Sequence, residues 1–352
     1  MATQNRTWDD SWGSIFTEHN ASLFDKLSTT QWNQLGTALK THYPDQAQEL
    51  TTIASEFQSL FPNHYVSYEY LTGWVYFHSL AHTDLYTNTF PRECTGLLTR
   101  STTGEINHVA NMDQSPATVR NVTLQVQFVN GSEVVLFSGV DWYWFTTGTS
   151  RMVLPNVVSV QENWRTSVIK HQRVFEDIYA GVIPQIFVFR RSFERIVRSQ
   201  VATTFENLVT EWSNVRLAAP FYIVMAGAKI NEGAVIARNE TGIAAPNGVL
   251  RMLKHEWYLV QTNYDHWVID NAADPRRTVA ETLLNEMDPN NGASSLSLFA
   301  VASSYPIHNP HTAYTAVMNA KKGTLFAFVR TAMCPQNPEN TFQDSRYCSA
   351  IK

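Results

Sequence analysis

Charge is scarce in this chain. Charged side chains make up 16% of its 352 residues, well under the usual quarter. Lys and Arg number 26 against 31 Asp and Glu, a formal net charge of −5. A protein that grips nucleic acid needs a basic stripe against the phosphates, so that partner is set aside. Long apolar runs are missing too. The longest, Leu217–Ala228, has 12 residues and contains Pro220; a membrane-spanning helix needs ~20, so the run reads as a core strand. The first residues, Met-Ala-Thr-Gln-Asn, show neither a basic nor an apolar leader region, which leaves a cytoplasmic chain or one whose signal peptide was trimmed. Cysteine is limited to Cys94, Cys334 and Cys348. That is too few for a disulfide scaffold or a Cys-only zinc site, although Cys334 and Cys348 lie near enough in sequence to pair. No Walker A loop, G-x-G-x-x-G, H-E-x-x-H or G-x-S-x-G is present, so neither a cofactor nor a metal is expected. Five glycosylation sequons (Asn5, Asn20, Asn121, Asn130, Asn239) are no more than a chain of this composition shows by chance, and say little about secretion.

What the chain does have is apolar and aromatic surface: 44% hydrophobic residues, 12% aromatic. That is enough for a packed core of one large domain or two ordinary ones. Residues 1–90 read mostly as helix. Leu50, Ile53, Ala54, Phe57, Leu60 and Phe61 keep a 3.6-residue period that stops at Pro62. Leu35, Leu39 and Tyr43 suggest a helix before it, ended by Pro44. Seven aromatic residues between Tyr65 and Tyr86 are expected to pack between helices; the other reading, also open to Trp142–Phe145, is the wall of an acyl channel or a membrane contact.

From Cys94 the pattern changes to strands. Val122, Leu124, Val126 and Phe128 alternate with polar residues, and Asn130-Gly131 then leads to Val134–Phe137. This predicts a hairpin with a type I′ turn, because Asn-Gly supplies its two positive φ angles. Further strands are expected at Ala219–Gly227, Ala234–Arg238 and Trp257–Thr262. A second hairpin is expected from Tyr314–Met318 and Leu325–Val329 about Lys321-Lys322-Gly323. Between the strand groups, Phe193 to Trp212 keeps helical spacing for twenty residues. Strands, then helices, then strands imply an α+β layered fold with no internal repeat or linker.

Chemistry has few candidate carriers. Cys94 stands alone at the boundary between the helical segment and the first strand. Asn107–Asp113 reads as a polar turn, Thr262–Trp267 as a strand end, and Asp274–Thr278 as a solvated charge run.

In combination these segments resemble the family of N-acylethanolamine acid amidase and acid ceramidase, cysteine amidases of the N-terminal-nucleophile hydrolase class. The family pattern runs Cys-Thr-Ser, His-Gly-Arg-Asn-Leu/Met-Asp, Thr-Asn-Tyr-Asp-His/Arg-Trp and Asp-Asp-Arg-Arg-Thr. This chain has Cys94-Thr95-Gly96, His108-Val109-Ala110-Asn111-Met112-Asp113, Thr262–Trp267, and Asp274-Pro275-Arg276-Arg277-Thr278. Glu232–Arg238 and Tyr314–Met318 add weaker matches, and the similarity covers roughly residues 92 to 330.

The resemblance implies a four-layer αββα sandwich with a helical N-terminal segment. It also implies self-cleavage before Cys94, into a helical fragment of residues 1–93 and a catalytic fragment of residues 94–352 that stay together as a heterodimer. The freed α-amine, with a pKa of about 7.7–8.0, would serve as the base beside its own thiol. The substrate implied is a lipid-like acyl amide, and the compartment a lysosomal or secreted one. Cys94 would be the nucleophile. Asp113 would hold the Cys94 amine, Asn263 would donate to the oxyanion, and Arg276 would shape the site. The chain departs from the pattern where the nucleophile sits. Ala110 stands for the family's arginine, Gln114 for an aromatic residue and Gly96 for a serine. The family's helical glutamate falls near Gln172, with Glu176 one turn on. These departures keep two alternatives open: an acyl transferase or an amidase for another amide, and a binding relative that no longer cuts itself.

Overall fold

The computed structural model describes residues 26–64, 66–86, 93–114, 117–142, 149–165, 169–253, 255–270 and 272–330. Cys334, Cys348, Tyr65 and residues 143–145, all singled out above, lie outside them, as do Asn5 and Asn20.

Three helices come first: α1 (Thr29–His42), α2 (Pro44–Leu60) and α3 (Tyr68–Leu80). Ser28 opens α1 with a capping box, its hydroxyl accepting from the Gln31 N–H and the Gln31 side chain returning the bond. Pro44 ends α1 and also starts α2, where a missing N–H costs nothing. The apolar stripes of all three helices form one buried cluster with Cys94, Ala110 and Met112.

Two antiparallel sheets follow. The five-stranded sheet runs β10-β1-β2-β11-β12, from β1 (Glu93–Arg100), β2 (Ile106–Asp113), β10 (Tyr258–Gln261), β11 (Thr312–Asn319) and β12 (Thr324–Val329). The seven-stranded sheet runs β3-β4-β5-β6-β7-β8-β9. Its strands are β3 (Thr123–Val129), β4 (Val135–Trp142), β5 (Arg151–Leu154), β6 (Val158–Trp164), β7 (Phe221–Gly227), β8 (Gly233–Arg238) and β9 (Val249–Arg251). Leu98 and Ile106 of one sheet meet Val224, Ala226 and Val235 of the other, so the sheets are stacked face to face.

Helices cover both outer faces. After α4 (His171–Tyr179), helices α5 (Val188–Ser199) and α6 (Phe205–Asn214) pack on the seven-stranded sheet. Helices α7 (Arg276–Glu286) and α9 (Ser295–Ala302), with the single turn α8 (Pro289–Gly292) between them, lie on the five-stranded sheet. The fold is the expected αββα sandwich.

Four expectations need correction. The helical stripe from Phe193 to Trp212 belongs to two helices, because Gln200 takes a left-handed φ of 54° and Thr204 caps a new start with Asn207. The first hairpin is present, but its turn is not type I′. The left-handed residue is Glu133 (φ 60°), and the Asn130 side chain accepts from the Ser132 and Val134 N–H groups, an Asx-type turn with a register shift beside it. Asn107–Asp113 is no polar turn: it fills most of β2, buried along its whole length. Arg276 and Arg277 are 1% and 7% exposed, so the run from Asp274 is not solvated.

Candidate active site

Cys94 is the second residue of β1, and its side chain points into the space between the sheets. The strand continues past it with Gly96, which faces the same way. A Cβ at Gly96 would meet Gln161 Oε1 at 2.8 Å and Val224 Cγ2 at 2.9 Å. A side chain there would collide with β6 and β7, which accounts for glycine after Thr95. On β2, Met112 stands in register with Cys94 and Ala110 with Gly96. The Cys94 thiol lies 3.8 Å from the Met112 sulfur.

The four residues expected to form a site are brought together. Asn263, on the turn after β10, accepts the Cys94 backbone N–H on its Oδ1 at 2.7 Å. One N–H of its Nδ2 goes to the Trp164 carbonyl at 2.8 Å. Arg276, the first residue of α7, donates from Nη1 to the Cys94 carbonyl at 3.0 Å and from Nη2 to Asn263 Oδ1 at 3.0 Å. Asp274 grips the same guanidinium through two bonds, of 2.6 and 2.7 Å. Both backbone groups of the cysteine are thus held by side chains from far along the chain. Asp113 closes the arrangement from β2, where it pairs in register with Glu93. Its Oδ2 accepts from Asn309 Nδ2 at 3.0 Å and lies 3.5 Å from Arg276 Nη1. Among these contacts the Cys94 N–H goes to Asn263, not to Asp113.

Several neighbours were not legible beforehand. His108, inside the resemblance motif, spans the sheets: Nδ1 lies 3.0 Å from Ser159 Oγ and Nε2 lies 3.2 Å from Gln161 Oε1. Burial pushes its pKa down to about 3, so it is a neutral polar pin between the layers. Gln172 and Glu176, offered for the family's helical glutamate, bond to each other on the exposed face of α4. Among the described residues the buried glutamate is Glu162 on β6, 2% exposed, with His78 Nδ1 of α3 at 3.4 Å from its Oε1. Burial raises its pKa to about 8; Arg151 opposes that and Asp141 adds to it. Arg151 on β5 is fully buried, its guanidinium donating from Nη1 to Ser150 Oγ at 2.7 Å and from Nη2 across to the Asn111 carbonyl of β2 at 3.2 Å. Burial pushes the Cys94 thiol up, Arg151 pulls it down, and the Asp113 charge raises it again. Neither Arg151 nor Glu162 carries a sequence signal, because each acts from the other sheet.

Among the seven aromatics of the N-terminal segment, Tyr68, Trp74, Tyr76 and Tyr86 are buried in the helical core, as packing predicts. Among the described residues no cluster of His, Cys, Asp and Glu has the arrangement of a metal site, and no helix is long and apolar enough to cross a membrane.

Comparison with known proteins agrees with the motifs. No protein-family model matches the chain. Over 233 residues it is 30% identical to the N-acylethanolamine-hydrolyzing acid amidase of Oryctolagus cuniculus, covering 64% of this chain and 61% of the relative. An acid ceramidase of Balaenoptera acutorostrata scammoni is 28% identical over 261 residues, covering 69% and 62%. The chain thus spans about three-fifths of the length of the curated relatives it matches. A solved Caenorhabditis elegans ortholog of the amidase superposes with a TM-score of 0.55 at 29% identity, over 64% of this chain and 93% of the other. The chain therefore resembles the N-acylethanolamine acid amidases and acid ceramidases in sequence and carries the N-terminal-nucleophile hydrolase fold.

Proposed function

From that resemblance we propose that this chain is a cysteine amidase acting on the amide bond of a fatty-acyl amide, after cutting itself between Glu93 and Cys94. The observation that carries the reading is the clamp on Cys94, with its N–H on Asn263 Oδ1 at 2.7 Å and its carbonyl on Arg276 Nη1 at 3.0 Å. A structural cysteine needs no such clamp, whereas a nucleophile must be held to a fraction of an ångström.

In this reading the Cys94 thiol attacks the carbonyl of residue 93 in the precursor. The peptide C–N bond breaks as the acyl group passes to sulfur, and water then hydrolyses that thioester, giving a carboxylate on residue 93 and a free thiol and α-amine on Cys94, the amine oriented by Asn263 and Asp113. That amine takes the thiol proton when substrate arrives, and the sulfur attacks the substrate carbonyl. The proton then passes to the leaving amine, and water releases the acid from the acyl-enzyme. The second N–H of Asn263 Nδ2 serves the oxyanion, a donor whose loss typically costs about 10²–10³ in rate. Arg276 keeps Asn263 turned. The helical segment stays bound after cleavage because its stripes share a core with Cys94, Ala110 and Met112, and the two fragments form a heterodimer. A fatty-acyl substrate goes with a peripheral contact with membrane lipid, in a lysosomal or secreted setting.

The rearranged surroundings of the nucleophile, with Gly96, Ala110 and Gln114 in place of the family pattern, favour a second reading: the same chemistry on an amide of different shape. Incubating purified protein under acid conditions tests both. Two fragments that co-elute, with new N-terminus Cys94, are expected, and Cys94→Ala should remain one chain and lose amide turnover. Splitting of the Cys94→Ala chain at that bond would remove the nucleophile assignment. A panel of N-acylethanolamines, ceramides and unrelated amides then separates the two substrate readings.

A further inference from the structure

We infer that Asn163 and Arg165, on the inner side of β6, are positioning residues that hold the turn carrying Asn263 against Cys94 from the opposite sheet. The catalytic consequence of that hold rests on the amidase reading, which it deepens by naming what keeps the oxyanion donor in place.

The inner face of β6 is polar where the core of a sandwich is ordinarily apolar. Side chains two apart on a strand share a face. Ser159, Gln161 and Asn163, all 0% exposed, therefore point together toward the five-stranded sheet, and Arg165 continues the row just past the strand. Val158 and Val160 face the other way, onto the helices. Ser159 Oγ and Gln161 Oε1 meet the two nitrogens of the His108 ring at 3.0 and 3.2 Å. Gln161 Nε2 also donates to Asn163 Oδ1, which leaves the Asn163 amide nitrogen to reach the other sheet.

Three successive residues then close on the Asn263 turn. Asn163 Nδ2 donates to the carbonyls of Gln261 at 2.9 Å and Thr262 at 3.4 Å, the two residues before Asn263. The Trp164 carbonyl accepts Asn263 Nδ2 at 2.8 Å. Arg165 donates twice to the Asp265 carboxylate, two residues beyond Asn263, at 2.8 and 3.0 Å, and Tyr222 of β7 donates to the same group at 2.8 Å. The turn is thus gripped on both sides of Asn263, whose Oδ1 is left on the Cys94 N–H at 2.7 Å. Burying a row of polar side chains is unfavourable by desolvation, which their hydrogen bonds offset; what an apolar row in the same place would lack is direction. The resemblance motifs contain His108 and the turn but no residue of β6.

Hydrogen exchange reads the hold without any need for turnover. In a full-length Cys94→Ala chain the amide of residue 94 keeps Asn263 as its acceptor, and its exchange is followed by mass spectrometry beside that of Ile236 in β8. Asn163→Ala and Arg165→Met, each added to that chain, should speed exchange at residue 94 by about tenfold or more while Ile236 stays as it was, because a local opening frees one amide and a global one frees both. Arg165→Lys, which keeps the charge but not the two-point grip, should recover part of the protection. If Asn163→Ala does not fold, Arg165→Met at its less buried position decides. An unmoved residue 94, or equal acceleration at both amides, overturns the inference. On an amide that the parent chain turns over, the same two variants should lower kcat by about tenfold at a nearly unchanged KM, and the loss should vanish once Asn263 is already alanine. A loss that persists undiminished in the Asn263→Ala chain also overturns it. A parent chain that turns over no amide sinks the amidase reading and leaves the hold to the exchange result; normal turnover with residue 94 unmoved sinks the hold alone.

Discussion

The helical layers on the seven-stranded and five-stranded sheets both cover their sheet through apolar contact, but the second adds a set of buried polar bonds between strand and helix. Over the larger sheet, Phe189, Phe193, Leu208 and Trp212 press on Met152, Val160, Ile223 and Met225. Over the smaller sheet the strands send out polar side chains. Asn107 donates to the Ala293 carbonyl at 2.6 Å, and Asn111 donates to the carbonyls of Ala302 and Ile307 at 2.8 and 2.9 Å. Thr315 donates to Asn111 Oδ1 at 2.7 Å, and Arg276 joins from α7. Apolar burial is non-directional, so the first layer fixes how strongly its helices bind and leaves their exact placement loose. Hydrogen bonds to buried carbonyls are directional, so the second fixes position. The proposed catalytic groups are built into the second layer and the space beneath it.

The largest expected break in this contrast comes from Ala110→Arg. Ala110 is fully buried between the sheets, where Arg151 already places one guanidinium. A second cation there should cost about 3–5 kcal/mol and slow self-cleavage. Calorimetry and a denaturing gel check it; faster cleavage at an unchanged melting temperature would mean that the position still welcomes arginine.

Truncation in the two layers should then separate stability from activity. Trp212→Ala should lose ~3–5 kcal/mol with little change in turnover by the chains that remain folded. Asn111→Ala, which strands two buried carbonyls, should cost less, about 1–3 kcal/mol, but should lower turnover per folded molecule, because β2 and α9 lose their registry near Asp113. Urea titration alongside single-turnover rates reads both. Equal effects on turnover would erase the distinction between the layers.

A smaller effect is expected in the pH dependence of stability. Glu162 ionises near 4.5 in an unfolded chain and at about 8 when folded. A carboxyl raised on folding contributes stability that is whole below pH ~4.5 and is lost as pH climbs through 8, at up to ~1.4 kcal/mol per pH unit. Glu162→Gln should therefore flatten the decline between pH 5 and pH 8, in urea melts at fixed intervals. Parallel profiles for the two chains would show that the carboxyl does not titrate there. His108 has the opposite sign: its neutral form is favoured, and its contribution fades as pH falls from 6.5 toward 3.

The smallest prediction lies at the first hairpin of the larger sheet. A Cβ added at Gly131 would meet nothing within 4 Å, and this glycine is not among the positive-φ residues. Gly131→Ala should stabilise by ~0.4–1 kcal/mol through the unfolded chain. A loss of stability in thermal melts would restore the type I′ turn that the Asn-Gly pair suggests.

Sequence predicts structure most directly where packing is periodic. Leu50 to Phe57 on α2, the alternation in β3 and the runs of β7 and β8 follow from hydrophobic spacing alone. It predicts poorly where strands bury polar residues. β2 looked like a turn because Asn107, His108, Asn111 and Asp113 are polar, and their partners lie on other elements: Ala293, Ser159, Ala302 and Asn309. Strands β5 and β6 passed unread for a similar reason, with Arg151, Ser159, Gln161, Glu162 and Asn163 all buried. Spacing does not say that a polar side chain will find a partner a hundred residues away.

By itself the sequence determined an α+β layered fold and, through the resemblance of its motifs to a known family, pointed to the αββα class and to the proposed set Cys94, Asp113, Asn263 and Arg276. Periodicity and short motifs are local, and survive in one dimension. Only the tertiary structure decided that Asn263 takes the Cys94 N–H, that Glu162 is buried while Glu176 is exposed, and that a guanidinium from position 151 crosses to the Asn111 carbonyl of the other sheet. Those outcomes depend on which faces two stacked sheets present to each other, and on a Gly96 small enough to let them meet. That is a property of register and stacking, set by the sum of all contacts between the layers rather than by the residues on either side of the cysteine.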